Sequence, residues 1–403
     1  MIKKVLVITA FLFAVLYHLI FYFGLYGPMA AEMSYWNSTI ALLSSFILVF
    51  LYLSTNWRAD LKNYYIKVFF DLLIFWVFIN YVRSLWNINA LSDLKELLLG
   101  SNTGLSLFPL FFFLVGVTPK YFPLVNRILF LYCALIWVFS LFFIKYLELQ
   151  LFLLIPIFYI IITFPLQTEA NRALTFIISG TIVLFSLSNR AGILRILISY
   201  FIVAFYYLIH KLHVSRKFIN ALIFCALMSP FYFLHQGIKG ENVFQRTLGN
   251  RSIMHNQHDF TADTRTFLYY EVLQDLKMNN SLMFGKGVDA GYSSKSFQTL
   301  HRTAVEVGFL QILLKTGIIG FLLYITLIIT AIFSALSKSK NLFMKYLGLL
   351  LAGYLLMLFI ENILSFNLFN ITIWLIVGMC HSEGLRNLND DEISKLFREP
   401  AFS

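Results

Sequence analysis

The sequence is poor in charge. Of its 403 residues only 13% are Asp, Glu, Lys or Arg, whereas 59% are apolar and 18% aromatic. A soluble domain carries about 25% charged residues, so a globule dissolved in water is excluded. Cysteine is scarce too. Cys133, Cys225 and Cys380 all lie in apolar stretches, which implies no disulfide framework. Internal repeats and low-complexity tracts are missing. So is a small-residue cleavage site before Tyr26-Gly27-Pro28. The apolar run headed by Lys3 and Lys4 therefore reads as a first spanning helix and not as a removed signal peptide.

The apolar residues fall in blocks of about 17–25, the length a helix needs to cross a ~30 Å hydrocarbon core. A barrel would instead alternate over segments of ~10 residues. The expected fold class is an all-α polytopic membrane protein of about twelve transmembrane helices. Candidate spans are 5–25, 38–54, 65–82, 104–117, 128–146, 149–166, 173–189, 191–210, 218–234, 306–336, 343–362 and 364–380.

The net charge of +11 does not call for nucleic acid, because Lys and Arg gather at alternate ends of the blocks, as the positive-inside rule requires. With a cytoplasmic N-terminus, the inner connections hold Arg58/Lys62, Lys120/Arg127, Arg172, Lys211/Arg216/Lys217 and Lys338/Lys340/Lys345. The inner tail holds Arg386, Lys395 and Arg398, while the short outer connections hold only Arg83, Lys95 and Lys145. The organisation that follows is spans one to nine in 1–234, an outer loop at 235–305, three spans in 306–380 and a cytoplasmic tail at 381–403.

The outer loop is polar and long enough to fold, with eight Lys and Arg against six acidic residues. Long loops cross the membrane regardless of charge, so its basic residues do not contradict the orientation. Within it Leu268, Val272 and Leu276 recur every four residues behind Asp263, a suitable N-cap. That spacing predicts an amphipathic helix over 264–277. Asn279-Asn280-Ser281 ends it, and Gly285-Lys286-Gly287 is a turn.

Ser186-Leu187-Ser188-Asn189-Arg190-Ala191-Gly192 joins two spans with almost no connector, which puts Arg190 at the outer membrane face. An arginine there is costly unless it is paired or lines a wet cavity, though snorkelling to fix helix depth is the plainer use. Arg265 in the first turn of the loop helix opposes the helix dipole, so local stability does not explain it. Lys286 between two glycines has the form of a phosphate contact. Arg302 and Glu306, four apart, are able to pair on one helical face, whereas His301 and Glu306 share a face only if the helix starts irregularly. The run from His255 to Asp259 resembles metal ligands but lacks partner cysteines or a second cluster, so no metal site is expected. Asp71, Lys315 and Glu361 sit inside candidate spans, where a charge signals either an ion pair or a proton relay. Asn389-Asp390-Asp391-Glu392 caps a short C-terminal helix.

Together the SLSNRAG junction, the loop motif D-T-R-x-x-x-Y-x-E, the F-G-K-G about twenty residues on, and G-I-I-G in the following span resemble the bacterial O-antigen ligase and Wzy-type polymerase superfamily. The matching stretch is about 180–325. The resemblance implies a GT-C-type glycosyltransferase of the bacterial inner membrane whose site faces the periplasm. It would transfer glycan from an undecaprenyl-diphosphate carrier to an acceptor hydroxyl, with inversion and with neither cofactor nor metal. Its partners would be the lipid-linked donor, the glycan acceptor, the bilayer and a chain-length regulator protein, with no nucleic acid. Arg190 and Arg265 match the two arginines that handle the diphosphate, with Lys286 and Arg302 as further candidates. Guanidinium suits that task, being permanently charged and bidentate toward phosphate.

One departure concerns the base. Ligases carry a His-Asn pair about eleven residues before the glycine of G-I-I-G, and Glu306 stands there in this chain. The acceptor proton could go to either His301 or Glu306. Imidazole titrates near ~6.5 without tuning, so His301 is the better base although Glu306 holds the family position. The same departure favours a polymerase over a ligase. The non-enzyme alternative is a lipid-linked oligosaccharide flippase or transporter, but such folds show paired repeats and broken helices, and need no long outer loop.

Overall fold

A computed structural model describes residues 2–26, 39–40, 42–44, 46–47, 49–50, 52–53, 61–86, 88, 90–100, 103–142, 156–185, 190–211, 221, 266–289, 291–294, 299–359, 361–362 and 364–398. Backbone in lipid has to satisfy its own hydrogen bonds, and the described apolar blocks are accordingly helical. In chain order they are α1 (Ile2–Tyr26), α2 (Tyr64–Leu85), α3 (Leu91–Leu99), α4 (Phe113–Val117), α5 (Phe122–Phe142), α6 (Ile157–Ile162), α7 (Glu169–Phe185) and α8 (Arg190–Lys211). Then follow α9 (Thr266–Met278), strands β1 (Tyr292–Ser294) and β2 (Thr299–Arg302), α10 (Gly308–Lys338), α11 (Leu342–Met357), α12 (Leu368–His381), α13 (Glu383–Asn387) and α14 (Asp390–Arg398). Asparagine starts four of them. Asn63, Asn341, Asn367 and Asn389 each accept a hydrogen bond from a backbone N–H of the first turn, as N-caps do.

Four described stretches are long and apolar enough to cross a membrane: Tyr64–Leu85, Asp93–Val117, Pro119–Val138 and Gly308–Lys338. Shorter apolar helices cover Val5–Ile20, Arg195–Phe205, Leu342–Met357 and Leu368–His381. The protein is thus helical and built to span a membrane. Of the expected spans, 218–234 lies almost wholly outside the described residues, as do parts of 38–54 and 149–166.

Three expected spans differ in form. The block 104–117 is a 3-10 helix over Gly104–Phe112 that becomes α-helical only in α4. Pro109 lies inside the 3-10 part, where a proline lacks the N–H an α-helix needs. The described end of 149–166 is α6 followed by a 3-10 turn at Phe164–Leu166. The block 306–336 begins at Gly308 and is broken at Gly317, whose φ of 66° and ψ of −173° are not helical.

Three of the segments assigned to the inner side, those around Lys62, Asn341 and the tail, meet at one end of the helices. Lys62 pairs with Glu383 at 3.7 Å, Asn341 Nδ2 donates to the carbonyls of Leu385 and Leu388, and the Leu342 amide donates to Asp390. Helix α14 packs on α5 and α11, with Phe397 against Phe122 and Phe343. Its cap is the expected reciprocal one, since Asn389 N donates to Glu392 and Glu392 N to Asn389 Oδ1, each at 2.8 Å. In the middle, α4 and α12 touch backbone to backbone: a Cβ on Gly116 would strike the Leu375 carbonyl, and one on Gly378 the Phe113 carbonyl.

Candidate functional site

The opposite end carries the polar segment. Helix α9 is described from Thr266 and ends one residue past the expected bound, and Leu268, Val272 and Leu276 are wholly buried. They join Tyr292, Val305, Val307, Leu310 and Leu314 in a small apolar core of their own. That core fuses the loop to the head of α10. The loop is not purely helical, because β1 and β2 pair antiparallel with Tyr292 opposite Arg302.

The turn after α9 plugs the break in α10. Lys286 N and Gly287 N donate to the carbonyls of Leu314 and Lys315 at 2.8 and 3.1 Å. In return Ile318 N and Ile319 N donate to the carbonyls of Leu282 and Met283 at 3.0 and 3.3 Å. Gly285 at φ 70° and Gly317 at φ 66° face each other across this joint, and a Cβ on either would strike the other's backbone nitrogen. Here F-G-K-G and G-I-I-G are two halves of one contact. From α2, Arg83 donates to the Phe284 and Gly285 carbonyls at 2.6 and 2.9 Å, Trp76 to Thr316 O, and Ser84 Oγ accepts from Val288 N.

The carboxylates and cations of the segment are engaged in three groups. Arg302 donates to Glu306 at 2.9 Å and to the Tyr292 hydroxyl at 3.5 Å. Ser294 Oγ donates to Glu271, the acid of the loop motif, at 2.7 Å. The Arg302–Glu306 pair is not the helical one anticipated from spacing. Arg302 closes β2 and Glu306 precedes α10, whose head is held instead by Gln311, accepting from Val305 N and donating to Thr303 O. Burial would lower the Arg302 pKa, but Glu306 and the Tyr292 hydroxyl hold it above its ordinary value. Burial raises the Tyr292 hydroxyl; Arg302 pulls it down, while Glu271 and Glu306 add to the rise. Lys286 forms a 2.6 Å ion pair with Asp275 and donates to Gly291 O, so it ties the turn to α9.

The segment reaches α8 through the turn after α11. Tyr269 donates to Phe359 O at 2.8 Å, Phe309 N donates to Leu358 O, and Glu361 pairs with Arg195 of α8 at 2.5 Å. Glu361 therefore lies beyond the end of α11 and not inside a span. The two other ionisable residues singled out in the expected spans are also engaged: Asp71 accepts from Tyr52 at 2.6 Å, and the buried Lys315 donates to Ser106 at 3.2 Å. Of the three, Glu361 has an ion pair, whereas Asp71 and Lys315 are hydrogen-bonded to hydroxyl groups.

Arg190 begins α8 and His301 lies in β2. Arg265, the Asp263 cap and the His255–Asp259 run fall outside the described residues. Arg195 and the motif residues Tyr269 and Glu271 were not singled out by spacing. Arg195 was detectable, since it lies in the expected span 191–210, where a charge is costly.

These features define a helical membrane protein with a folded polar segment seated on one end of its helices. Residues 174–325 match the family model described as O-antigen ligase. Over that stretch, from α7 to the joint at Gly317, the chain is similar to the O-antigen ligase and polymerase superfamily. Among the curated proteins and the solved structures, none matches the chain.

Proposed function

We propose that this protein is a membrane glycosyltransferase that polymerises a bacterial surface polysaccharide. It moves glycan from undecaprenyl diphosphate to the hydroxyl of another lipid-linked repeat unit, at the periplasmic face of the inner membrane. One observation carries the reading. Within the matched residues, α8 and the loop-motif helix α9 converge on the single turn Leu358–Glu361.

In this reading the acceptor hydroxyl oxygen attacks the anomeric carbon and the bond to the diphosphate oxygen breaks. The hydroxyl proton passes to a base in the segment 301–306. Negative charge grows on the leaving diphosphate and is met by the guanidinium groups of Arg190 and Arg265, fixed donors of the kind that stabilise developing charge. Glu306 is held by Arg302, which suits a positioning carboxylate and leaves the proton to His301. No metal or cofactor enters this reading.

A ligase that delivers the glycan to lipid A core is the second reading, and the description of the matched family favours it. A transporter fits less well. The broken helix α10 would be its signature, yet both half-helix ends are taken by the chain's own turn. The test is complementation of a polymer-deficient strain. Arg190→Ala and Arg265→Ala should each abolish polymer at normal protein level, and Lys at either position should restore little. Full polymer from either Ala variant removes that residue from the diphosphate site.

A further inference from the structure

Arg195 lies on α8 about 7.5 Å further along the axis than Arg190, at 1.5 Å per residue. Its side chain is only 12% exposed and Glu361's is 34% exposed, so the pair has a dry cation and a wet anion. The guanidinium stands over the Phe369 ring, 4.8 Å from its centroid. Its Nε is buried and without a hydrogen-bond partner among the described residues. Beside it opens a narrow pocket walled by Phe158, Leu350, Tyr354, Met357 and Phe369, with Ser199 among the few polar groups.

A purely structural ion pair explains this poorly. Taking an arginine out of water costs several kcal/mol, and a single carboxylate repays it only when the remaining donors are also satisfied. Here Nε is not. The walls are apolar, so a small hydrophilic anion would lose its hydration for little return. An anion carried on an apolar chain matches both halves of the cavity, the guanidinium for its phosphates and the aromatic walls for its first chain units.

We propose that Arg195 is a further binding residue for the lipid-linked diphosphate, with Glu361 as a built-in competitor that occupies the guanidinium until the diphosphate arrives. The inference rests on the glycosyltransferase reading and deepens it. On binding, a phosphate oxygen takes the place of the Glu361 carboxylate, which turns out to water. Because Glu361 sits on the turn that also receives Tyr269 and the head of α10, this exchange reports donor occupancy to the loop.

The experiment is equilibrium binding of undecaprenyl diphosphate, and separately of undecaprenyl monophosphate, to purified full-length protein in lipid nanodiscs. Arg195→Gln should weaken diphosphate binding about tenfold or more, the scale of one charged hydrogen-bonding group, and monophosphate binding less. Glu361→Gln should tighten diphosphate binding at least about threefold, since the competing charge is gone. Arg195→Lys, which keeps the charge for folding, should bind nearly as weakly as Arg195→Gln. A structural pin would instead make Arg195→Gln and Glu361→Gln weaken binding alike. That result, or wild-type affinity in Arg195→Gln, overturns the proposal. Wild-type protein that binds neither lipid would overturn the glycosyltransferase reading itself.

Discussion

Replacing Gly317 by alanine tests the joint on which the loop sits. At φ 66° a side chain costs about 1–3 kcal/mol, and its Cβ would press on the Met283 carbonyl and the Gly285 nitrogen, both backbone. Straightening relieves this, because alanine in a continuous helix is favoured over glycine by about 1 kcal/mol. A straight α10 would make its own bonds across the break and expel the turn. Four hydrogen bonds join turn and break, each worth about 0.5–1.5 kcal/mol net. A loss near 3 kcal/mol corresponds to roughly 150-fold at tenfold per 1.4 kcal/mol. Hydrogen exchange of the 282–288 peptide should therefore accelerate by about two orders of magnitude, since protection follows the local opening free energy. The helical bundle should melt within a few degrees of wild type, and polymer synthesis should be lost. Gly180→Ala is the control, because nothing lies within 4 Å of its added Cβ. Unchanged protection of 282–288 in Gly317→Ala would refute the claim that the positive φ holds the turn.

Two further outcomes are expected. Met278→Cys, at a side chain 68% exposed at the end of α9, should react with an impermeant thiol reagent in intact spheroplasts; reaction only after lysis would place the polar segment in the cytoplasm. His301→Ala should reduce glycan transfer at least as severely as Glu306→Gln with donor binding retained in both, whereas normal turnover in His301→Ala beside a dead Glu306→Gln would make the carboxylate the base.

The loop helix was legible because its signal is local: Leu268, Val272 and Leu276 repeat at helical spacing and all three are buried. The C-terminal cap was legible for the same reason. The break at Gly317 was not. A glycine within Lys315-Thr316-Gly317-Ile318-Ile319-Gly320 reads as tolerated in a helix, and its unusual φ is imposed by a turn some thirty residues upstream. The setting of Lys286 was hidden for a related reason. Its two flanking glycines adopt positive φ to dock on α10, and the lysine pairs with Asp275. Pairs such as Arg195–Glu361, 166 residues apart, become visible only once tertiary packing brings their helices together.

The break in α10 also decides which groups are free to meet an anion. Interrupting a helix creates a new N-terminus at Ile318, with about half a positive charge on its exposed amides, a ready-made anion site in many proteins. Here the carbonyls of Leu282 and Met283 already occupy those amides. The half-helix dipole is spent holding the protein's own turn in place, and Arg83 is spent likewise on the carbonyls of Phe284 and Gly285. In the proposed reading a diphosphate is met by guanidinium side chains in place of the Ile318 helix end, and their reach, unlike that of a helix end, can follow a leaving group as it departs.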